Sequence, residues 1–392
     1  MLTTSIIILL SLILIVAYVF DLSSRFTKIP GIVLLIVVGI SLKYFTDFVN
    51  IELPSLNPLT PLLGTIGLIL IVLEGSLDLK VSRSKIIVVK KTFLSGLTLL
   101  VLNSVCTAIL IMLYYDVTFM KSIVNAIPLG IISSALAIPA SQNLSENKKE
   151  FITYESSFSD ILGVLLFNFF AFNEFHGLAE IWIYSGQLIM IILIAIFCCL
   201  ALGFLLQNIQ HHIKFVPIIA TLILVYSLAK LVHMPSLVVV MAFGLFLNNI
   251  NRLEVIPYLG KKINFELMEN ETTNFKHLVG ELAFTIRSFF FIILGFTTNI
   301  NSIFDLTGLI QALVIVSIIL ISRLILFKFI LKISLIPELF FAPRGLITIL
   351  LFLSIPSIYL VPQIQTGLLL QVVLVTSLVM SAGLILTKDK KE

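Results

Sequence analysis

Segment 154–163 reads Tyr-Glu-Ser-Ser-Phe-Ser-Asp-Ile-Leu-Gly and brings two carboxylates and several hydroxyls close together. At about 100° per residue of helix, four of its polar residues fall within an arc of roughly 140°: Glu155, Ser156, Ser159 and Asp160. Hard oxygen ligands suit an alkali cation, and a carboxylate among them can also take up a proton. The pattern predicts a site where a monovalent cation and a proton compete, and a polar face buried between helices is the plainer alternative.

Six charged residues stand inside long apolar stretches of the sequence. A charge in the middle of a bilayer costs about 2.5–3.5 kcal/mol on insertion scales, so each one needs a partner, water or a function. The six are Glu74, Glu155, Asp160, Arg287, Arg323 and Arg344. Because three acids can neutralise three bases, structural ion pairs are an alternative to a functional role for each residue.

Segment 133–141, Ser-Ser-Ala-Leu-Ala-Ile-Pro-Ala-Ser, precedes the acidic segment and interrupts a helical pattern with Pro139. Proline removes one backbone hydrogen bond and frees a carbonyl, which water, a hydroxyl or an ion then satisfies. Transporters build cation sites near the bilayer midplane from broken helices of this kind. A simple proline kink is the alternative.

The elements that must position these residues are membrane helices. Of the 392 residues, 59% are apolar and 12% are charged, and the mean hydropathy of +1.15 excludes a soluble fold. Apolar runs long enough to span a bilayer recur along the whole chain. They predict an all-α polytopic membrane protein with about thirteen transmembrane helices, at 4–20, 31–47, 61–79, 92–114, 124–144, 153–172, 182–207, 215–231, 235–250, 279–300, 307–333, 339–359 and 366–387.

The basic residues predict how these helices are oriented in the cell membrane. With the N-terminus outside and the C-terminus cytoplasmic, most of the 25 Lys and Arg residues fall in cytoplasmic segments. Only three fall outside: Lys43, Lys121 and Lys230. This topological explanation of the net positive charge requires no nucleic-acid partner. The lipid bilayer is the expected environment.

A polar stretch divides the chain into two membrane halves. The predicted units are 1–250 with helices 1–9, a cytoplasmic connector at 251–278, helices 10–13 at 279–387, and a short cytoplasmic tail at 388–392. If helices 1–6 correspond to helices 8–13, helix 7 inverts the second set, which gives two inverted repeats of six with broken crossing helices. This repeat is a hypothesis from the helix count.

Three ordered motifs resemble those of the sodium/proton exchanger family of the monovalent cation:proton antiporter superfamily. Segment 73–79, Leu-Glu-Gly-Ser-Leu-Asp-Leu, looks like the family's Leu-Phe-Glu-Gly-Gly-Leu motif in its third helix. Segment 155–160 resembles its Glu-Ser-Leu-Leu-Asn-Asp motif, and segment 342–346 is similar to the Leu-Arg-Gly opening of its second crossing helix. The similarity runs over nearly the whole chain.

The resemblance implies roles for individual residues. Asp160 alternately carries cation and proton with Ser156 as a ligand, Glu155 pairs with Arg344, and Arg323 faces the ion site. Both members of the Glu155–Arg344 pair also lie near cytoplasmic helix starts, so their depths match. The family is mostly dimeric, which implies a homodimer.

The sequence departs from the family pattern at three places. Ser159 replaces an Asn, Ala137-Ile138 replaces a Thr-Asp before Pro139, and Arg287 stands where some relatives carry an acid. The substrate is therefore expected to be Na⁺ or K⁺, with no choice between them. Because Asp160 is the one carboxylate clearly available at the site, one cation should exchange for one proton, without net charge movement.

Other classes of function receive less support from the sequence. A cation channel or uniporter could use the same helices, and a divergent member could have lost transport. An enzyme is not expected, because the chain lacks His-Glu-x-x-His and Gly-x-Ser-x-Gly motifs. The three cysteines, Cys106, Cys198 and Cys199, lie in predicted helices and imply neither a disulfide nor a metal site. No cofactor is expected.

Overall fold

The computed structural model describes residues 2–27, 30–49, 59–79, 85–172, 178–208, 215–231, 236–250, 265–364 and 366–387, and these contain helices and no strand. In chain order the helices are α1 (Leu2–Thr27), α2 (Gly31–Val49), α3 (Leu59–Asp78), α4 (Ile86–Tyr115), α5 (Phe119–Gly130), α6 (Ser134–Ala140), α7 (Glu146–Phe172), α8 (Leu178–Asn208), α9 (Phe215–Leu231), α10 (Leu237–Asn248), α11 (Phe265–Thr297), α12 (Ile300–Ile303), α13 (Leu306–Ile325), α14 (Leu346–Leu353) and α15 (Thr366–Leu386). A π-helical segment, Leu326–Leu331, continues α13, and 3₁₀ turns occupy Ser141–Asn143 and Glu338–Phe340.

The prediction of an all-α polytopic membrane protein is confirmed. Within the described part of the chain, seven helical segments are by themselves long and apolar enough to cross a membrane. Helical structure is also present at each of the other predicted spans. Helices suit this environment because they satisfy every backbone N–H and C=O within the segment, where lipid offers no partner.

Two predicted spans are interrupted rather than continuous. The span predicted at 124–144 ends as α5 at Gly130 and resumes as α6 at Ser134, and the span predicted at 339–359 is helical only from Leu346 to Leu353 apart from a 3₁₀ turn. Each is the fifth helix of a predicted set of six. Broken helices at matching places in the two sets agree with the inverted-repeat arrangement.

The first break does not lie at Pro139, where the sequence suggested it. Pro139 sits inside α6, whereas the extended residues are 131–133. Pro128 and Gly130 close α5 instead, since proline weakens the helix and glycine permits close packing. A Cβ on Gly130 would lie 2.5 Å from Ser104 Oγ on α4.

The predicted connector 251–278 is helical in its second part. Helix α11 already begins at Phe265, and its side chains Met268 and Phe275 are buried. Burial of these apolar residues explains why a charged stretch is helical rather than a solvated loop. Residues 251–264 and the predicted tail 388–392 lie outside the described residues.

Helix contacts divide the described helices into two groups. Helices α4–α7 pack with α13–α15 around the two broken spans, whereas α11 packs against α2 and α3, and α10 against α3 and α8. Helices α2 and α11 approach each other closely at two glycines. A Cβ on Gly39 would lie 2.1 Å from the Ile292 carbonyl oxygen, and one on Gly295 would lie 2.3 Å from that of Ile36.

Candidate cation site

The two broken spans meet at their extended segments, 131–133 and 341–345. The backbone N–H of Ser133 donates to the carbonyl of Pro343 at 2.9 Å. Gly345 lies beside the same serine, because a Cβ at this position would be 2.5 Å from Ser133 Oγ. The contact joins two parts of the chain that are far apart in sequence, and the breaks beside it leave the C-terminus of α5 and the N-termini of α6 and α14 inside the protein.

Arg344 satisfies the carbonyl end of α5. Its Nε donates to the Leu129 carbonyl at 2.8 Å and its Nη2 to the Gly130 carbonyl at 3.1 Å. Its Nη1 donates to the Ala342 carbonyl at 2.8 Å, and the side chain is wholly buried. A cation is favourable here because a helix C-terminus carries partial negative charge and unpaired carbonyls.

Asp160 lies at the opposite end of the break, at the start of α6. Its Oδ2 accepts the backbone N–H of Ser134 at 3.1 Å, so the carboxylate faces the positive end of a helix dipole. Its Oδ1 has no hydrogen-bond partner, and the residue is only 5% exposed. Asp160 therefore presents one free carboxylate oxygen inside the protein, next to non-helical backbone.

The face of α7 around Asp160 is shaped to receive the extended segment. Ser159 Oγ accepts the backbone N–H of Ile132 at 2.9 Å. Gly163 makes room for Ile131, whose side chain would lie 2.4 Å from a Cβ at this position. Ser156, one turn before Asp160, is buried and donates to the Ile152 carbonyl at 2.8 Å, which leaves its oxygen lone pairs available.

Glu155 does not pair with Arg344, which corrects the pairing that the family resemblance implied and matched depth supported. Its Oε2 lies 2.9 Å from Arg323 Nη2, and its Oε1 accepts the hydroxyl of Ser95 on α4. Glu155 projects toward α4 and α13, whereas Arg344 is already held by the carbonyl end of α5. Glu155 and Asp160 of α7 thus serve different neighbours.

Arg323 is accordingly the partner of Glu155, and among the described residues it forms no ion pair with Asp160. Its Nη2 also donates to the Glu338 carbonyl at 2.6 Å. Its guanidinium carbon lies 4.7 Å from the centre of the Phe327 ring, in the π-helical segment. The expected contact of Arg323 with the ion site is therefore replaced by a neutral ion pair beside it.

Glu74 and Arg287 lie away from the crossing. Both line a cavity of about 640 Å³ that also borders Asp78 and Lys276, which form a 2.6 Å salt bridge. Arg287 further borders a second cavity of about 370 Å³, which reaches Pro139 on α6. Glu74 and Arg287 therefore line cavities and do not join the hydrogen bonds around Asp160.

Comparison with known proteins identifies the family. The profile described as "sodium/hydrogen exchanger, transmembrane" matches residues 9–388. The chain belongs to the sodium/hydrogen exchanger family. A search among curated proteins gave no match.

Solved structures of one archaeal antiporter share the fold of this exchanger. The structure of the sodium proton antiporter MjNhaP1 from Methanocaldococcus jannaschii at pH 8 superposes with a TM-score of 0.73 at 18% identity, over 97% of this chain and 100% of the other. A structure of the same antiporter from an electron-microscopy map gives a TM-score of 0.69 at 18% identity, over 99% of each chain.

Three buried polar residues near the Glu155–Arg323 pair of this exchanger were not predicted from the sequence. Ser95 binds Glu155, Asn103 accepts the hydroxyl of Ser322 at 2.6 Å, and Glu338 is 4% exposed. The signal for the first two was a stripe of small and polar residues at helical spacing on α4: Thr92, Ser95, Gly96, Asn103, Ser104 and Thr107. Glu338 lies in the five-residue gap 334–338 between two predicted spans.

No multivalent-metal centre is found in the described part of the exchanger, where no three His, Cys, Asp or Glu residues come together. A single carboxylate among hydroxyls and carbonyls instead fits a weakly charged cation.

Proposed function

We propose that this exchanger moves Na⁺ or K⁺ against H⁺ by alternating access, with Asp160 as the shared carrier. The observation that carries the proposal is the free Oδ1 of Asp160, buried beside the break in the first crossing span. A carboxylate in this setting binds either a proton or a cation, and each excludes the other. Competition at one group is sufficient to couple the two fluxes.

Ligands for the cation are available around Asp160. Ser156 and Ser159 supply hydroxyl oxygens, and Ile131 and Ile132 of the extended segment supply carbonyls that lie outside a helix. Ala137, in place of the family's hydroxyl residue, packs against Ile152, Phe341 and Met380 and offers no ligand. Since selectivity depends on ligand number, charge and cavity size, weak discrimination between Na⁺ and K⁺ follows.

Charge balance supports one-for-one exchange. Glu155 and Arg323 neutralise each other, and Arg344 supplies a fixed positive charge that, among the described residues, has carbonyl partners and no carboxylate partner. Asp160 then remains as the group whose charge changes. A proton and a monovalent cation leave the loaded site with the same net charge, so the cycle is electroneutral.

The cavity of about 370 Å³ offers an approach to the site from one side. It borders Ala135, Leu136 and Pro139 on α6, within one or two turns of the Asp160 contact at Ser134. With the N-terminus outside, as the distribution of Lys and Arg favours, this side is cytoplasmic. Reporters fused to the two termini would test this orientation, which requires the N-terminal reporter outside and the C-terminal reporter in the cytoplasm.

Family resemblance alone supports a homodimer, and cross-linking in membranes would test it.

The direct test is dissipation of a pH gradient in proteoliposomes by Na⁺, K⁺ and Li⁺, added separately. We expect Na⁺, K⁺ or both to dissipate the gradient in the wild type and none of them to do so in Asp160→Asn. Cation flux without proton movement would identify a uniporter or channel instead. Absence of both fluxes in a folded wild-type protein would identify a member that has lost transport.

A further inference from the structure

The guanidinium of Arg323 is only partly satisfied. Nη2 carries both hydrogen bonds of the side chain, to Glu155 Oε2 and to the Glu338 carbonyl. Nε and Nη1 have no acceptor although the side chain is wholly buried. Buried donors without partners are costly, and more so on a charged group. Nε and Nη1 can therefore still donate hydrogen bonds to a second anionic group.

Glu338 is the complementary group. Its Oε1 accepts the hydroxyl of Ser334 at 2.8 Å, whereas Oε2 has no partner, and the residue is 4% exposed. In the described part of the chain, the cation in contact with Glu338 is Arg323, through the Glu338 carbonyl, and α15, which packs against the same turn, carries no charged residue between Thr366 and Leu386. A buried carboxylate without a counter-charge is unfavourable unless it acquires one.

We infer that Glu338 is a second carboxylate partner for Arg323, and that Arg323 passes between Glu155 and Glu338 as the crossing span moves. The Arg323 guanidinium already contacts the backbone carbonyl of Glu338, which places the two residues side by side. Glu338 acts as a positioning residue, because it does not touch the ion site. The transport part of this inference rests on the proposed exchange activity.

A short path connects this switch to the carrier. Glu338 opens the 3₁₀ turn that leads directly into the extended segment 341–345. Within this segment Pro343 accepts the N–H of Ser133, and the next residue, Ser134, donates to Asp160. Movement of the backbone at Glu338 therefore reaches the carboxylate that binds the cation.

A double-mutant cycle on thermal stability tests the shared partner without any transport assay. Glu155→Gln leaves Arg323 with Glu338, and Glu338→Gln leaves it with Glu155, so each single change should lower the melting temperature modestly. The double variant leaves a buried guanidinium with no carboxylate, and its loss should exceed the sum of the single losses. Additive losses would overturn the inference.

Transport in proteoliposomes tests the positioning role. Glu338→Gln should lower the maximal rate several-fold with the KM for the cation changed less than about twofold, because the cation ligands are untouched. Glu338→Asp, which keeps the charge, should restore part of the rate, and Glu146→Gln, at an exposed acid, should behave as wild type. A raised KM with an unchanged maximal rate, or wild-type kinetics, would overturn this role. Failure of the wild type itself to exchange would refute the proposed function and leave the stability cycle standing.

Discussion

Arg323 and Glu155 are joined by a 2.9 Å contact between Nη2 and Oε2, and solvent reaches neither side chain. Arg323 lies on α13 and Glu155 lies on α7. The ion pair therefore connects the two parts of the chain that contribute the crossing spans. Because a buried charge that loses its partner is much costlier than an exposed one, this contact makes a strong prediction for stability.

Arg323→Gln should lower the free energy of unfolding by about 3 kcal/mol, because it leaves the Glu155 carboxylate buried without a cation. Adding Glu155→Gln should recover part of this loss, since both charges are then gone. Thermal unfolding of the purified variants in detergent measures the effect. A double variant as unstable as the sum of the two single variants would show that the residues act independently.

Asp160→Asn should fold and lose exchange. The amide oxygen can still accept the Ser134 N–H, so the crossing is preserved, but the side chain cannot carry a proton. Melting temperature and proteoliposome flux measure the two properties. Asp116→Asn, at an exposed connector residue with a positive φ that asparagine tolerates, is the matched control and should transport normally. Wild-type exchange by Asp160→Asn would exclude it as the carrier.

Arg344→Lys should destabilise the protein by about 2 kcal/mol although the charge is kept. An ammonium cannot reproduce the fork that holds Leu129, Gly130 and Ala342, so at least one buried carbonyl loses its donor. Arg287→Lys, at a partly exposed residue that lines two cavities, should have a much smaller effect. Equal effects of the two substitutions would contradict the capping role of Arg344.

Exchange should not respond to membrane potential, because Asp160 carries one monovalent cation in one direction and one proton in the other. No net charge then crosses the membrane. The apparent affinity for the cation should weaken as pH falls, by up to about tenfold per pH unit where protons occupy the carboxylate. Initial rates at several pH values, with potentials of both signs, measure both effects. Acceleration by voltage would reveal a second titrating group, for which Glu74 is the first candidate.

Gly39→Ala and Gly295→Ala should each destabilise the protein by about 2 kcal/mol, because the added methyl meets backbone and α2 and α11 must separate. The cation KM should stay near the wild-type value, since neither residue belongs to the crossing. Gly186→Ala on α8, where a Cβ has no neighbour within 4 Å, is the matched control. Equal melting temperatures for all three variants would show that α2 and α11 separate without cost.

The helices were predictable because a membrane span needs a minimum length of apolar residues, and apolar runs of that length can be recognised in the sequence. The contacts of Ser159 and Asp160 with a break in the preceding span also follow from spacing, since the two residues are neighbours on one helix face. The position of the break was harder to predict. Pro139 drew attention to α6, although Pro128 and Gly130 were the residues that ended α5.

The partner of Glu155 could not be predicted from depth alone. Arg323 and Arg344 both lie at a suitable height, and the choice between them depends on the direction in which each side chain leaves its helix. Arg344 also has a competing partner that no residue type reveals, namely the partial negative charge at the end of α5. Backbone N–H and C=O groups that a helix break leaves unpaired carry partial charges, and sequence patterns do not show these groups.

The cap on α5 also constrains the order in which this protein can be made. Arg344 is synthesised 215 residues after Leu129, so the ribosome delivers the first broken span long before its guanidinium exists. During that interval the carbonyls of Leu129 and Gly130 need other donors, from water or from the insertion machinery. Asp160 thus enters the membrane early in biosynthesis, but its surroundings take their final form only after Arg344 and the second broken span have been inserted.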